Sequence, residues 1–464
     1  METDMEIDME TDTSDLIEKF EQQTLNVQEE MTSVSSRPVQ YDIIMKKIIE
    51  DILKIDLNPK MSFRARQKVL KAHHKQLVLE WYNLYANEPR LEKICKNREL
   101  VFSFFTEYQL KTPSDEHKNF VDLKYLIEFC GYNLTYLDLT RYPFSGIMPL
   151  IKTNCLNLKT LLVQFKEMKD EDFKDVFSNM HQLERLEVDW KCKKLTLPMT
   201  FIESLEKVSG TLKDLTLACF SKKGILLQDS LASMFPRMIT LKCLQVYGFR
   251  PSQSAIQLIS EMKNLITLQL VPLHAGQMLH ADQINMSPIG SLINLERLNF
   301  FWDCDDTDEL LINLGDNAKG LRSLRIFGTN LTDNGMIAVK KMSQLHWLSI
   351  CDPLDSVTAT NNFITDESIQ CLFNEQIRYL DLSNCSQVSN RSVVKLFENL
   401  PILECISVVN TNVTIGIVEE LSKFSEFRET KLHVCVSFPI KECNGVLKSL
   451  LESHNVVFVS QYTD

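Results

Sequence analysis

Between residues 134 and 432, apolar and polar positions recur in one pattern: an apolar residue at the first, fourth and sixth places of a six-residue run. The pattern opens at Leu134-Thr-Tyr-Leu137-Asp-Leu139. It returns at Leu158, Leu183, Leu212, Leu241, Leu265, Leu295, Leu321, Leu345, Ile377 and Leu403, with a weaker twelfth copy from Phe427 to Leu432. Successive copies start 24 to 32 residues apart. The second half of each run alternates polar and apolar, which predicts a short strand with every other side chain turned inward. Between strands the period becomes helical. Met336, Val339 and Met342 fall on one face after Thr332-Asp333, a sequence that suits a helix N-cap. One strand and one helix cannot bury their apolar sides alone, but stacked copies share a continuous core. The expected fold class is therefore α/β, a solenoid.

These runs resemble leucine-rich repeats, and the helical halves sharpen the likeness. Leu331-Thr332-Asp333-Asn334-Gly335-Met336, Ile364-Thr365-Asp366, Val388-Ser389-Asn390 and Met168-Lys169-Asp170 look like the I-T-D-x-G-L half of the cysteine-containing and ribonuclease-inhibitor-like repeat classes. Cys385, in Leu-Asp-Leu-Ser-Asn-Cys, stands where the cysteine-containing class carries its cysteine. The resemblance spans about residues 120–460. It implies a horseshoe of about 12 repeats, with strands on the concave side and helices outside.

Residues 39–98 have a different character. Ile44, Ile48, Ile49, Ile52 and Leu53 make one helical face that Leu57-Asn58-Pro59 ends, because proline lacks the amide donor. A second helical stretch carries Val69, Leu70, Leu77, Val78 and Trp81. Trp81-Tyr-Asn-Leu84, followed by Glu88-Pro89-Arg90-Leu91-Glu92-Lys93-Ile94, resembles the later half of an F-box; the family's opening Leu-Pro and second tryptophan are missing. That resemblance implies the substrate-recognition subunit of a Skp–cullin–RING ubiquitin ligase. In it Ile48, Ile52, Leu53, Leu57 and Trp81 would form the F-box-like surface that takes a Skp-type adaptor. The same helices also suit a cap closing the open end of the array, as repeat proteins need. The chain would then be a non-ligase leucine-rich-repeat scaffold or regulatory protein-binding module. The expected domains are a disordered acidic tail over 1–38, the F-box-like helical module over 39–98 and the repeat domain over 99–464.

Charge is concentrated in the tail: residues 1–36 hold eleven acidic side chains and one basic, out of a chain total of −12. The nearly neutral remainder has no electrostatic basis for nucleic-acid binding, which depends on neutralised phosphates. No apolar run reaches the ~18–20 residues of a membrane span. No basic, apolar leader opens the chain. We therefore expect a cytoplasmic or nuclear protein without membrane or nucleic-acid partners. The 13 cysteines include no C-x-x-C pair and sit mostly among apolar neighbours, as do Cys219, Cys243 and Cys405, which reads as reduced core packing. Glycine-rich phosphate loops, H-E-x-x-H and G-x-S-x-G are all lacking. His274 and His280, and the acidic run from Asp303 to Glu309, read as solvated loops. No catalytic residue, metal or cofactor is expected, and hence no enzyme.

Candidate binding residues follow from strand alternation. The polar places beside the strand leucines face away from the core. Early copies put Tyr136, Asp138, Arg185, Glu187 and Asp189 there, and the middle ones Thr216, Gln245, Thr267 and Gln269. The seventh to tenth copies place Arg297, Phe301, Arg325, Phe327, Trp347, Tyr379 and Asp381 on the concave face. Aromatics and arginines dominate interface hot spots, so these seven are the expected site for a substrate protein.

Overall fold

A computed structural model of the chain describes residues 106–110, 123–124, 126–128, 131–191, 196–220, 225–273, 284–301, 306–326, 330–350, 360–423, 430–437 and 455–460. The acidic tail, the F-box-like module with Ile48, Ile52, Leu53, Leu57 and Trp81, both loop histidines and Phe327 lie outside these residues. The described chain falls into two compact units. One holds the described residues up to Arg141 with 146–161 and 179–182; the other holds 142–145, 162–178 and 183 onward.

In the first unit β1 (Glu107–Gln109) pairs in parallel with β2 (Tyr136–Leu139), Glu107 opposite Tyr136. The helix α1 (Met148–Asn154) buries Met148 and Ile151. Strand β3 (Thr160–Phe165), most of which belongs to the second unit, alternates strictly, burying Leu161, Val163 and Phe165.

The second unit continues with β4 (Arg185–Trp190), β5 (Asp214–Cys219), β6 (Cys243–Tyr247), β7 (Thr267–Val271), β8 (Arg297–Phe300), β9 (Ser323–Ile326), β10 (Trp347–Ser349), β11 (Tyr379–Asp381), β12 (Cys405–Ser407), β13 (Leu432–Val436) and β14 (Val456–Ser460). Each pairs in parallel with the next, with no strand displaced. The register is set by a single apolar column: Leu186, Leu215, Leu244, Leu268, Leu298, Leu324, Leu348, Leu380, Ile406, Val434 and Phe458 stand opposite one another across the whole ladder. All are buried. A slip of one residue would turn that column to water, so the register is strongly specified. Helices connect the strands: α2 (Asp170–Phe173), α3 (Met199–Glu206), α4 (Asp229–Ala232), α5 (Gln253–Ser260), α6 (Thr307–Asn317), α7 (Asp333–Ala338), α8 (Asp366–Gln370), α9 (Asn390–Asn399) and α10 (Ile417–Ser422). The fold is α/β, with a long parallel sheet and crossover helices in the arrangement of a leucine-rich-repeat solenoid.

Two features differ from the sequence reading. The twelfth copy is displaced: Val434, not Thr430, stands opposite Ile406, so its strand is Leu432-His433-Val434-Cys435-Val436. A further strand, Val456–Ser460, follows it and pairs along all five of its residues.

The I-T-D-x-G-L halves acquire a physical explanation. Each Thr or Ser caps its own helix, Thr332 accepting from the Asn334 amide, Thr365 from Glu367 and Ser389 from Arg391. The aspartate belongs to the next turn of the array. Asp333 accepts from the Thr365 amide at 2.8 Å, the Thr365 hydroxyl at 2.7 Å and the Ser368 hydroxyl. Asp366 repeats this with Ser389 (2.9 and 2.5 Å) and Ser392. Asp308 does so with the amide and hydroxyl of Thr332. A ladder of carboxylates thus bolts successive helix N-termini together, where the helix dipole favours negative charge.

The place two residues beyond the aspartate must be small, because the preceding aspartate presses on it. In α8 and α9 it is serine, which donates to that aspartate. In α7 it is Gly335, where a Cβ would collide with the Asp308 Oδ1 and Leu331 Cδ1 atoms and come 2.9 Å from the Asp308 Cα. Gly335→Ala is expected to cost about 1–3 kcal/mol of stability through this overpacking. Gly320→Ala, whose Cβ meets nothing within 4 Å, is the neutral comparison. Denaturant midpoints of the two variants check this, and equal midpoints would show that the close approach carries no cost.

Candidate functional site

On the helix-free side of the sheet the outward side chains line up in two columns. The residue just before the buried leucine column is Arg185 in β4, then Asp214, Cys243, Thr267, Arg297, Ser323, Trp347, Tyr379, Cys405 and His433 in succession. The residue just after it is Glu187, then Thr216, Gln245, Gln269, Asn299, Arg325, Ser349, Asp381, Ser407 and Cys435.

Parallel pairing without stagger brings like positions within one strand spacing, about 4.8 Å. Trp347 and Tyr379 are therefore direct neighbours. Their rings stack with centroids 3.7 Å apart and planes 15° from parallel. Trp347 remains 37% exposed, which no core role explains. Diagonal to it, the Arg325 guanidinium lies 5.8 Å from the Trp347 ring and 5.8 Å from the Phe301 ring, within cation–π range of both. Its Nε is shielded from water and has no acceptor among the described residues. An unpaired buried donor costs ~1–3 kcal/mol, so the rings hold the side chain at an energetic expense. Arg297, on the next strand, is exposed and donates from Nε to the Thr267 hydroxyl at 3.2 Å. Among the described residues neither arginine meets a carboxylate. Arg322 and Arg378, on the edge of the same sheet, do meet one: Glu296 at 3.8 Å and Glu404 at 2.5 Å respectively.

Of the seven residues expected to bind a partner, the structure thus brings Arg297, Arg325, Trp347 and Tyr379 together. Two others are covered. Phe301 is only 3% exposed and serves as the floor beneath Arg325. Asp381 is 8% exposed, and its oxygens take the Ser383 amide at 3.0 Å, the Ser383 hydroxyl at 2.6 Å and the Ser349 hydroxyl at 3.4 Å. Asp138 does the same with Thr140 and Gln109. These aspartates tie off strand ends, so Phe301 and Asp381 support the surface rather than present themselves on it.

Cysteine placement also differs from expectation. Cys219 and Cys385 are buried, but Cys243, Cys405 and Cys435 are half-buried on the outward columns, and no disulfide joins the described ones. A hydrogen bond from Cys405 holds the Cys435 thiol down to about 7, although burial and the Asp381 carboxylate push it up; Cys405 is itself raised. Among the described residues no three His, Cys, Asp or Glu side chains cluster to hold a metal, and no helix is long and apolar enough to cross a membrane.

No protein-family model matches the chain, and no curated protein matches it. Among solved structures it is similar to one from yeast described as the complex of Rad7 and Elc1. That match has 19% identity over 82% of this chain and 95% of that chain, with a TM-score of 0.46.

Proposed function

We propose that the chain is the substrate-recognition subunit of a Skp–cullin–RING ubiquitin ligase, made of an acidic tail (1–38), an F-box-like helical module (39–98) and a leucine-rich-repeat domain of about 12 repeats (99–464). In this reading the module binds a Skp-type adaptor through Ile48, Ile52, Leu53, Leu57 and Trp81, and the helix-free face of the sheet holds the substrate protein. The carrying observation is the cluster of Arg297, Arg325, Trp347 and Tyr379, four residues of the types that dominate hot spots, gathered from four adjacent strands, with Trp347 37% exposed. The F-box-like run from Trp81 to Ile94 supplies the ligase half of the reading. The chain performs no covalent chemistry; it raises the effective concentration of substrate beside the ligase's charged carrier. A cytoplasmic or nuclear location goes with that role.

The test is a pull-down of the full chain with purified Skp adaptor, beside Ile52→Asp/Leu53→Asp. We expect capture by the wild type and its loss in the double variant, with circular dichroism unchanged. A folded wild type that captures no adaptor would overturn the ligase half and leave a repeat scaffold.

A further inference from the structure

We infer that Arg297, Arg325, Trp347 and Tyr379 form a subsite for an acidic peptide, one Asp or Glu carboxylate meeting the two guanidiniums while a neighbouring apolar side chain lies on the Trp347–Tyr379 pair. This rests on the reading of the helix-free face as a protein-binding surface and names the chemistry of its ligand.

The argument is one of charge complementarity. A cation over a ring is attracted but not neutralised, so Arg325, flanked by Phe301 and Trp347, keeps its full charge. Among the described residues Arg297 has only a hydroxyl for a partner. Asp381, the nearest acidic member of the outward columns, has its oxygens turned to Ser383 and Ser349. Among the described residues the patch therefore sets two positive charges, neither paired with a carboxylate, beside an exposed indole. A guanidinium matches a carboxylate with paired donors, which a lysine cannot do. Edge arginines of this same sheet show the preference: Arg322 and Arg378 each find a glutamate.

A basic or neutral peptide leaves those charges unanswered. A nucleic acid fits poorly for two reasons. The same face carries Glu187, Asp189 and Asp214 on β4 and β5, which repel an extended phosphate chain. The two rings also stack directly on each other and leave no slot between them for a base.

The full chain, immobilised, is panned against a library of random displayed peptides, alongside Arg297→Gln/Arg325→Gln and Trp347→Ala, with circular dichroism on each. The expected result is enrichment by the wild type of peptides with Asp or Glu beside an apolar residue. A synthetic copy of such a peptide should bind roughly tenfold or more weakly to the double glutamine variant, and more weakly as salt rises. Replacing its acids by Asn and Gln should cost a similar factor, and Arg297→Lys/Arg325→Lys should restore part of the affinity.

Enrichment of neutral or basic peptides that still need Trp347 would overturn this inference while leaving the face as a protein-binding surface. Acidic peptides indifferent to all three variants would overturn it by locating recognition elsewhere. Displacement of the peptide by single-stranded DNA but not by its own unlabelled copy would reassign the subsite to nucleic acid. Enrichment of nothing would remove both this inference and the protein-binding reading of the face. Adaptor capture, read on the same variants, depends on residues 39–98 and stays informative in every case.

Discussion

Asp333→Ala is expected to destabilise the fold by about 2–3 kcal/mol, and Asp366→Ala, whose contacts repeat its own, by a similar amount. The alanine leaves the Thr365 amide and hydroxyl without that acceptor, and leaves the Ser368 hydroxyl only its longer bond to the Thr365 carbonyl at 3.4 Å. Ser368 is buried and Thr365 half-buried, so water replaces the carboxylate only in part. Each unsatisfied group costs ~1–3 kcal/mol, reduced where solvent reaches it. Asp333 also caps the joint between consecutive repeats, and repeat proteins draw much of their stability from such nearest-neighbour interfaces. Chemical denaturation checks this, with Asp316→Ala as the comparison. Asp316 is exposed and bonds the exposed Lys341 at 2.7 Å, and its loss should leave the midpoint nearly unchanged. Similar shifts from both would show that the aspartate ladder has no special weight.

The same carboxylates make stability depend on pH in a stated direction. Burial pushes Asp333 up, but the hydrogen bonds from Ser368 and Thr365 outweigh it and hold the group below the ordinary carboxylate range. For Asp366, burial is likewise outweighed by Ser389 and Ser392. The folded value lies below the unfolded one, so on acidification the unfolded chain takes up the proton first. The contribution is complete above the ordinary value of about 4 and falls away as pH drops toward the folded value. The Asp333→Ala variant should lose part of this acid sensitivity and show a flatter stability profile there.

How much of this could be read from the chain varied with the range of the interactions. The leucine column was legible because strand alternation is local, and the same alternation put Trp347 on the outside without any tertiary information. Cys243 and Cys405 show the opposite error. Their apolar neighbours, Leu244 and Ile406, are adjacent in sequence and hence on the other face of the strand, so apolar company in the chain meant an outward thiol. The displaced twelfth strand was hidden because Val434 and Val436 replace the leucines and Leu432 imitates one out of phase. The final strand, Val-Val-Phe-Val-Ser, shows no polar alternation at all. The acceptor role of Asp333 and Asp366 was out of reach for a different reason. Their partners lie 23 to 35 residues away, and only the stacking of one repeat on the next brings them together. The contact between Phe301 and Arg325 has the same cause: side chains of neighbouring repeats meet only once the repeats stack.

Phe173→Ala is expected to be the most damaging substitution, at about 4 kcal/mol. Phe173 ends α2 fully buried and meets two rings edge-on, Phe165 at 5.4 Å and 86° and Phe201 at 5.5 Å and 89°. Phe201 passes the contact to Phe177 at 6.0 Å. Removing the central ring loses its transfer energy and opens a cavity that rings held from two sides cannot collapse to fill, which for phenylalanine costs ~3–5 kcal/mol. Edge-to-face pairs add about 0.5–1.5 kcal/mol each beyond burial. Phe201→Ala removes one of the same pairs, so the double variant should fall short of the sum of the singles by about that coupling. Denaturant unfolding of the two singles and the double measures it. The slope should stay constant, because the surface exposed on unfolding is nearly unchanged. A strictly additive double variant would mean that the rings contribute area alone. A Phe173→Ala loss below about 1.5 kcal/mol would mean that the cluster is loosely packed. Hydrogen exchange adds the spatial reading. In a stack held by nearest-neighbour contacts, amides of β3 and β4 should lose protection well before those of β10 and β11. Equal loss across the ladder would instead show that the array unfolds as one cooperative body.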